Sequence, residues 1–564
     1  MTQLARLRGV KTLPQLARVL GVQPASLSFV LFWQSDRQKY EHFTIPKKGG
    51  GRRLITAPKS RLKMIQTKLA DLLLDIHVEL EQARSRNQCQ LSHGFKRGFS
   101  IVTNATAHRN KRYVFNADLK DFFPSINFGR VRGFFMWDNN FLLDPKVATI
   151  IAQIACRDNQ LPQGSPASPV ISNLIAHILD IHLNRLARTG RCTYTRYVDD
   201  ITFSTNEQVF PSAIARLVRG SADKWVAGDG LVKRIYSSGF ALNYDKTRMQ
   251  RRNSRQDTTG LIVNKKVNVR NEYYKLARAQ CHHLFQNGFC FSEKDNKPRS
   301  DDALDGTMSF IYHIRRLKTR DWPREQKSFH KLYRQFLDYR AFHGIIRPKI
   351  ICEGKTDNVY LRCAFAALRA KFPQFVDPKG ALTVDLFNYT TASATFQELS
   401  GGTGEMTKLF SHYPARVSEF AIPAHRPVIM IVDNDKGSND LFKKLAEIIG
   451  KPVGGLEPFY YAFANLYVVP IPKSGATEAA IEDLFEPALL RRTIDGRTFG
   501  RSLGKKKDPT KYSKNDFATQ IVKPGRATID FKGFAPLLQA LLDAQKDFAT
   551  KVPHPAAALV AAAE

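Results

Sequence analysis

The sequence lacks the features of a secreted or membrane-spanning protein. No run of 18 or more uninterrupted apolar residues occurs in its 564 residues, although a helix needs about 20 such residues to cross a bilayer. The first residues, MTQLARLRGVKTL, contain no apolar signal-peptide core. The seven cysteines show no paired framework, which is typical of a reducing compartment. We therefore expect a cytoplasmic protein that has no membrane partner.

Cysteine and histidine are also too sparse and too irregularly spaced to indicate a zinc site. The best candidate is Cys281-His282-His283 followed by Cys290. Because this spacing fits none of the usual zinc-finger patterns, we interpret the segment as a packed helix.

Acidic residues are scarce relative to basic ones, and the imbalance is concentrated in one part of the chain. The sequence has 86 Lys and Arg against 51 Asp and Glu, a formal net charge of +35. Residues 1–340 carry a net charge of +29, and residues 341–564 carry only +6. A positive field this uneven is typical of a protein that holds a polyanion along a groove. The length exceeds that of a single core and indicates two or three domains.

A pair of acids interrupts an apolar, β-branched stretch at residues 196–201, RYVDDI. Adjacent carboxylates repel each other and resist burial unless a cation neutralises them. A hairpin with Asp199 and Asp200 at its tip, neutralised by Mg²⁺, explains the pattern. An exposed Asp-Asp turn explains it equally well when the pair is considered alone.

A second acidic element favours the metal-site interpretation. In residues 113–126, YVFNADLKDFFPSI, Asp118 closes an apolar run typical of a strand, so its carboxylate can meet Asp199 and Asp200 across a sheet. Three carboxylates around two Mg²⁺ ions suit nucleotidyl transfer, because one metal activates the attacking hydroxyl and the other holds the triphosphate. Between the two elements, the Pro/Gly/Ser-rich turn of residues 161–183 lets backbone pack closely against a base pair.

Together these segments resemble the palm of a reverse transcriptase. The blocks of that family occur here in order: a basic fingers hairpin (43–69), an aspartate block (113–126), Leu-Pro-Gln-Gly (161–164), Tyr-x-Asp-Asp (197–200), a Gly…Lys block (237–248) and a primer-grip-like segment (258–264).

The resemblance to this family implies roles for individual residues. Asp118, Asp199 and Asp200 would hold two Mg²⁺ ions. Phe123 would stack under the sugar and exclude a 2′-OH, and Lys246 would protonate pyrophosphate. The full implied set of dNTP contacts is Arg53, Lys59, Phe123, Gln163 and Lys246.

Two motifs narrow the resemblance to the reverse transcriptases of bacterial retrons. Residues 104–108, NATAH, match the Asn-Ala-x-x-His motif of that family, and Thr259-Gly260 match most of its Val-Thr-Gly motif. Thr258 replaces the usual Val, and Val198 stands where retron enzymes mostly have Ala. The resemblance implies RNA contacts by four residues: Asn104, His108, Thr259 and Gly260.

The last third of the chain carries a second set of acids. One apolar strand ends at Glu353-Gly354, and a later one ends at Asp433-Asn434-Asp435. In a parallel sheet both ends lie at the carboxyl edge, where such folds bind ligands. The pattern resembles the Toprim domain of topoisomerases, primases and the overcoming-lysogenization-defect nucleases. Two ordinary strand-end turns are the alternative.

Looser matches favour the nuclease branch of the Toprim proteins. Glu482 lies in an Ile-Glu-Asp segment that adds a metal ligand in those nucleases. Lys514 resembles their late lysine, which could steady a transition-state phosphate, and Asp357 is a further accessory candidate. A helix-capping run of acids and a surface lysine are the alternatives. The resemblance implies one or two Mg²⁺ ions here, held by Glu353, Asp433, Asp435 and Glu482.

These resemblances predict a multidomain α+β right-hand polymerase with fingers, palm and thumb, followed by an α/β Toprim domain with a mainly parallel sheet. The expected domains are an N-terminal helical segment (1–40), fingers and palm (41–250), thumb (251–320), a helical connector (321–346), the Toprim domain (347–490) and its C-terminal extension (491–564).

The implied function is an RNA-directed DNA polymerase that copies a structured non-coding RNA into branched single-stranded DNA, primed from an RNA 2′-OH. A fused Mg²⁺-dependent nuclease would act in anti-phage defence. The expected partners are that RNA and its RNA–DNA product, dNTPs, the nuclease target and further copies of the chain. Two alternatives stay open: a non-catalytic Toprim module for binding or oligomerisation, and a group II intron-like reverse transcriptase.

Overall fold

The structure, a computed structural model, consists of two compact units. It describes residues 1–46, 50–83, 90–221, 223–292, 298–316, 327–473, 475–500 and 508–551. The first unit comprises Met1–Tyr274 and Ile311–Thr319, and the second comprises Lys275–Phe310 and Arg320–Glu564.

The first unit begins with short helices and a β-hairpin, followed by the long helix α5. The helices of this part are α1 (Gln3–Arg8), α2 (Leu13–Val19), α3 (Pro24–Ser28), α4 (Asp36–Lys39), α5 (Ser60–Ala83) and α6 (Ile101–Ala107), and the hairpin is β1 (Tyr40–Pro46) with β2 (Arg52–Pro58). A π-helical turn, Phe29–Trp33, follows α3 directly. Helix α5 buries a stripe that includes Leu62, Ile65 and Leu69, because these residues recur at helical spacing.

A four-stranded antiparallel sheet forms the centre of the first unit. Its strands, in the spatial order β4-β5-β3-β8, are β3 (Tyr113–Lys120), β4 (Thr193–Tyr197), β5 (Asp200–Thr205) and β8 (Ala241–Arg251). The sheet packs with α7 (Phe128–Trp137), α8 (Pro145–Ala155), α9 (Ser168–Ile175), α10 (His177–Thr189) and α11 (Asp229–Ser237) around one apolar core. Two small hairpins complete the unit: β6 (Ala215–Leu217) with β7 (Trp225–Ala227), and β9 (Asp257–Thr258) with β10 (Leu261–Ile262).

The second unit is built on a five-stranded, mainly parallel sheet. Its strands are β13 (Lys349–Cys352), β14 (Asp385–Leu386), β15 (Val428–Val432), β16 (Tyr460–Phe463) and β17 (Leu466–Pro470), in the order β14-β13-β15-β17-β16. Only β16 runs antiparallel to its neighbour. All five residues of β15 are buried, because apolar clusters cover both faces of the sheet.

Helices and short strands complete the second unit. The helices are α12 (Asn271–Asn287), α13 (Asp301–Arg316), α14 (Lys327–Asp338), α15 (Asp357–Ala367), α16 (Thr403–Val417), α17 (Asn439–Ile449), α18 (Pro487–Leu490), α19 (Lys514–Asp516) and α20 (Ala535–Lys551). The short strand pairs are β11 (Cys290–Phe291) with β12 (Pro298–Arg299), and β18 (Thr498–Phe499) with β19 (Lys511–Tyr512). Helices α12 and α13 each cross the boundary between the units.

The expected thumb extends over both compact units, and the described part of the expected connector lies in the second. Residues 251–274 and 311–316 of the expected thumb (251–320) belong to the first unit, and residues 275–310 belong to the second. The reason is long-range pairing, since Arg340 forms ion pairs with three acids of α13: Asp301, Asp302 and Asp305. The segment 327–346 of the expected connector is therefore part of the second unit, and residues 321–326 lie outside the described residues.

The segment expected to be the C-terminal extension (491–564) contributes side chains to the core of the second unit. Phe517 and Leu537 are fully buried in the same apolar cluster as Ile350 and Ile429 of the central sheet. The boundary expected at residue 490 therefore does not separate two packing units among the described residues up to 551.

No single helix among the described residues is long and apolar enough to cross a membrane. One bent pair of helical segments, Leu13–Val19 with Pro24–Trp33, meets the length and composition criteria together, with an angle of 112° between them.

Candidate active sites

The four-stranded sheet of the first unit, β4-β5-β3-β8, brings three of the expected acids together. We call it the palm sheet. Asp118 lies near the end of β3 and pairs in register with Asp200, the first residue of β5. Asp199 lies in the turn between β4 and β5, and its carbonyl accepts a hydrogen bond from Leu119 N (2.9 Å). Val198 in this turn has a φ of +61°, a left-handed backbone conformation that is uncommon for a β-branched residue. The three carboxylates are therefore neighbours at one end of the paired strands β3 and β5.

The pKa values of this cluster reflect mutual repulsion. Loss of solvation, followed by the charges of Asp199 and Asp118, raises the pKa of Asp200 to about 6, although the residue as a whole is exposed. Loss of solvation and the charge of Asp118 also raise the pKa of Asp199. A divalent cation would relieve this repulsion, and carboxylate oxygens are the type of ligand that Mg²⁺ prefers.

Lys246 is the counter-ion of Asp118 in this structure. Its Nζ lies 3.0 Å from both carboxylate oxygens, and Asn243 Nδ2 donates to Oδ1 at 3.1 Å. Partial desolvation lowers the pKa of Lys246, but the hydrogen bond and charge of Asp118 outweigh that effect and raise it. Among the described residues, no group of three acid, His or Cys side chains is arranged as a metal site.

A buried ion pair that no sequence motif indicated fixes the turn that carries Asp199. The guanidinium of Arg196 is fully buried and donates to both Asp180 oxygens, at 2.8 and 2.7 Å. The same group donates to the carbonyl of Val198 at 3.0 Å, and Tyr194 Oη donates to Asp180 at 2.8 Å. Arg196 thus ties the turn to α10. An Arg directly before Tyr-Val-Asp-Asp was the only available signal.

Of the expected dNTP contacts, the structure places Arg53 and Gln163 on facing elements. Arg53 is exposed on β2, and Asp199 lies within reach of its charge. The carbonyl of Gln163 accepts from Thr56 N of β2 at 2.8 Å. Gly164 is required next to it, because its φ is +122° and a Cβ would lie 2.9 Å from the Thr56 carbonyl oxygen. The Leu-Pro-Gln-Gly turn is therefore joined to the hairpin.

Two other residues expected to contact the dNTP, Phe123 and Lys59, contact groups of the protein itself. Phe123 is half-buried and meets the Phe122 ring edge-on at 5.5 Å. The ammonium of Lys59 donates to the carbonyl of Arg37 at 2.9 Å.

Asn104 and His108, two of the residues expected to contact RNA, have their side chains inside the protein. Both residues are completely buried. His108 Nδ1 lies 2.7 Å from Ser204 Oγ and its Nε2 lies 2.7 Å from Thr195 Oγ1, while Asn104 Oδ1 accepts from the same Thr195 hydroxyl. Burial lowers the pKa of His108 to about 3, so its imidazole is neutral. These residues fasten α6 to the palm sheet.

The other half of the expected RNA contact is closer to the surface. Thr259 is half-buried and donates to the carbonyl of Ile101 at 3.3 Å. Gly260 is exposed, has a φ of +81° and has no atom within 4 Å of where a Cβ would stand. Its backbone is therefore accessible to a ligand.

Comparison with known proteins agrees with the palm geometry. Residues 45–261 match the family described as reverse transcriptase (RNA-dependent DNA polymerase). The chain is 33% identical over 328 residues to the Retron Mx65 reverse transcriptase of Myxococcus xanthus, covering 53% of this chain and 68% of that protein. It is 32% identical over 279 residues to the Retron Ec86 reverse transcriptase of Escherichia coli, covering 49% and 77%.

The fold and the carboxylate cluster define an RNA-directed DNA polymerase. The chain belongs to the retron reverse transcriptases, so the group II intron-like alternative is set aside. Enzymes of this class bind RNA templates and dNTPs and use Mg²⁺ at the polymerase site. Among solved structures, Candida albicans telomerase with a telomeric RNA fragment matches at 10% identity and a TM-score of 0.30, over 54% of this chain and 61% of that one.

The second unit gathers a separate set of acids at the carboxyl ends of β13 and β15. Glu353 follows β13 and accepts from the Thr403 hydroxyl through Oε1, while its Oε2 is buried and has no hydrogen-bond partner among the described residues. Asp433 follows β15 and accepts from Ile481 N at 3.1 Å. Asp435 accepts from Gly437 N at 2.9 Å and caps a short helical turn.

Glu482, Lys514 and Asp357 belong to the same cluster. Glu482 is fully buried, and its Oε2 accepts from Lys514 Nζ at 3.0 Å. Its Oε1 has no partner among the described residues. Asp357 is buried and accepts a hydrogen bond from Gly354 N at 2.7 Å. Burial raises the pKa of Asp357 to about 6; the bond from Gly354 opposes this shift and the charge of Glu482 adds to it.

The electrostatics of this second cluster resemble those of the palm. Burial, followed by the charges of Glu353 and Asp357, raises the pKa of Asp433 to about 7. A cluster of acids with raised pKa values and two unpaired buried oxygens is typical of a functional site. These donors fit a hard divalent cation.

Proposed function

We propose that this reverse transcriptase copies a structured non-coding RNA into branched single-stranded DNA, starting from an RNA 2′-OH, in the bacterial cytoplasm. The observation that carries the polymerase part is the Asp118–Asp200 pairing beside Asp199. In this proposal the three carboxylates hold two Mg²⁺ ions, which would activate the attacking hydroxyl and stabilise the leaving pyrophosphate. Arg53 and Lys246 contribute positive charge for the triphosphate.

The polymerase proposal is tested by removing charge from the turn. Asp199→Asn with Asp200→Asn relieves repulsion and leaves the fold intact, but should abolish branched DNA production in cells that carry the full locus. Asp158→Asn, a change at an exposed loop residue of the same unit, is the matched control. Normal amounts of branched DNA from the double variant would refute the assignment.

We further propose that the second unit is a Toprim-like, Mg²⁺-dependent nuclease that acts in anti-phage defence. The proposal is supported by Glu353 and Asp433 at the ends of adjacent parallel strands. In this scheme Glu353, Asp433, Asp435 and Glu482 hold one or two Mg²⁺ ions, and Lys514 steadies a phosphate oxygen. The RNA–DNA product would assemble copies of the chain and restrain the nuclease.

Removing one acid separates the two activities. Glu353→Ala should leave branched DNA on a gel unchanged, because the palm carboxylates belong to a different unit, and should abolish protection in a phage-plating assay. Glu398→Ala, a change outside the acid cluster in the same unit, is the control.

One observation favours a second candidate, a non-catalytic module for binding or oligomerisation. The ion pair with Lys514 already occupies one oxygen of the Glu482 carboxylate, which leaves fewer free ligands for a metal. Cells with Glu353→Ala that make the DNA and still resist phage would favour this candidate over the nuclease.

A further inference from the structure

The π-helical turn Phe29–Trp33 presents aromatic rings to solvent. The exposed fractions are 42% for Phe29, 58% for Phe32 and 79% for Trp33, whereas Val30 between them is buried. The turn is therefore anchored by Val30 and directs its larger rings outward. Three exposed aromatic residues within five positions, on a chain that otherwise buries most of its rings, indicate an interaction surface.

Cationic side chains lie beside these rings. The Arg61 guanidinium, on α5, is 5.3 Å from the centroid of the Phe29 ring. Lys39, at the end of α4, donates from Nζ to the carbonyl of Leu31 within the turn at 3.3 Å. These contacts fix charged groups from two neighbouring helices next to the aromatic turn. We call Phe29, Phe32 and Trp33 with Lys39 and Arg61 the aromatic–cationic surface.

The charge around this surface is strongly one-sided. Residues 29–68 contain ten Lys and Arg but only two acids, Asp36 and Glu41. Asp36 lies 4.0 Å from Lys39 and 3.9 Å from Arg157, so it offsets part of this charge, and the ten cations still exceed the two acids by eight. An apolar protein partner would gain nothing from this excess of cations, whereas a polyanion would.

We propose that the aromatic–cationic surface binds an unpaired RNA strand. Exposed rings stack on the faces of unpaired bases, while lysine and arginine neutralise the phosphates. A duplex cannot use the rings in this way, because its base faces are already stacked. We assign this RNA as the strand that the enzyme copies, which rests on the proposed polymerase function, because the surface includes Arg61 of α5 and lies in the same unit as the palm carboxylates.

The test compares single-stranded with double-stranded RNA on the full-length protein. Phe32→Ala with Trp33→Ala should weaken binding of a fluorescent 12-nucleotide unpaired RNA on the order of tenfold to a hundredfold, the range expected for one or two lost stacked bases. Binding of the corresponding RNA duplex should not change. The matched control is Trp137→Ala, because Trp137 is 74% exposed on the same unit but lies outside the surface.

Two further variants distinguish stacking from a general loss of structure. Trp33→Phe should retain most of the affinity, because a ring remains. Arg61→Gln should reduce the slope of log affinity against log salt by about 0.7, the value for one phosphate contact on a single strand. Circular dichroism checks that each variant is folded.

Other outcomes would overturn the proposal. These are unchanged binding of unpaired RNA by the double variant, an equal loss for the duplex, or a loss confined to a DNA strand of the same sequence. A changed oligomeric state of the double variant in sedimentation, with RNA binding unaltered, would assign the surface to contact between copies of the chain instead.

Discussion

The buried ion pair between Arg196 and Asp180 allows a quantitative prediction about the polymerase site. Asp180→Asn keeps the shape of the side chain but removes the charge that compensates a fully buried guanidinium. Tyr194 and Val198 keep their hydrogen-bonding atoms, yet Arg196 is left as an uncompensated charge in the core. This change therefore tests how strongly the turn depends on the pair.

The expected cost follows from burial. Removing one partner of a buried ion pair destabilises a protein by about 3–5 kcal/mol. For a folding unit of more than 150 residues, 1 kcal/mol corresponds to roughly 2–4 °C in Tm, so the melting temperature should fall by roughly 6–20 °C. The same chemical change at an exposed pair provides the control. Asp75 pairs with Arg97 at 2.6 Å with side chains 43% and 54% exposed, and Asp75→Asn should cost about 1 kcal/mol or less.

Two measurements are needed, melting and activity. Thermal unfolding of both variants gives the difference in Tm. Primer extension, at a temperature where both remain folded, should show a lower kcat for Asp180→Asn only, because Arg196 no longer holds the Val198 carbonyl rigidly. If Asp180→Asn melts within 2 °C of Asp75→Asn, the pair does not stabilise the sheet and the reasoning fails. A large loss of stability with unchanged kcat would show that the pair serves folding alone.

Three further predictions concern single residues. Asp433→Asn should raise the Tm of the EDTA-treated protein most at pH 8 and least near pH 4. Because the folded-state pKa of Asp433 is raised to about 7, the wild type loses stability as pH rises from about 4 to about 7. Equal shifts in Tm at both pH values would contradict this. Phe123→Ala should let ribonucleotides compete with deoxyribonucleotides in primer extension, and an unchanged preference would make Phe123 a packing residue only. His108→Ala should lower the free energy of unfolding by about 1–3 kcal/mol, since it leaves the buried Thr195 and Ser204 hydroxyls without that partner. The affinity for RNA, measured at a temperature where the variant is folded, should stay unchanged. A loss of RNA affinity without a loss of stability would support a direct contact between His108 and RNA.

The sequence allowed the carboxylate clusters to be predicted because local pattern determines them. Asp118 lies near the end of β3, Asp199 lies in the turn before β5 and Asp200 begins β5, and side-chain alternation determines which strand residues share a face. Glu353 and Asp433 likewise follow apolar runs, and the parallel arrangement brings strand ends of the same direction to one edge.

What could not be predicted depends on residues far apart in the chain. Asp180 and Arg196 lie on different elements, and neither has a local feature that identifies its partner. The polar motif at Asn104 and His108 suggested a surface, because the hydroxyls of Thr195 and Ser204 that satisfy it come from strands about 90 residues later. The division into compact units also depends on contacts between residues far apart in the chain, such as the ion pairs of Arg340 with Asp301 and Asp305.

In each of the two acid clusters a lysine offsets part of the negative charge, but the two lysines differ in how exposed they and their partners are. Lys246 pairs with Asp118 from a side chain that is 58% exposed, so it can exchange this partner for water or a phosphate at small cost. Lys514 is 35% exposed, and its partner Glu482 is completely buried. Parting that pair would leave a buried carboxylate uncompensated. A cation entering the palm therefore competes with a mobile side chain, whereas one entering the second cluster must either replace Lys514 at Glu482 or bind beside the intact pair through Glu353 and Asp433.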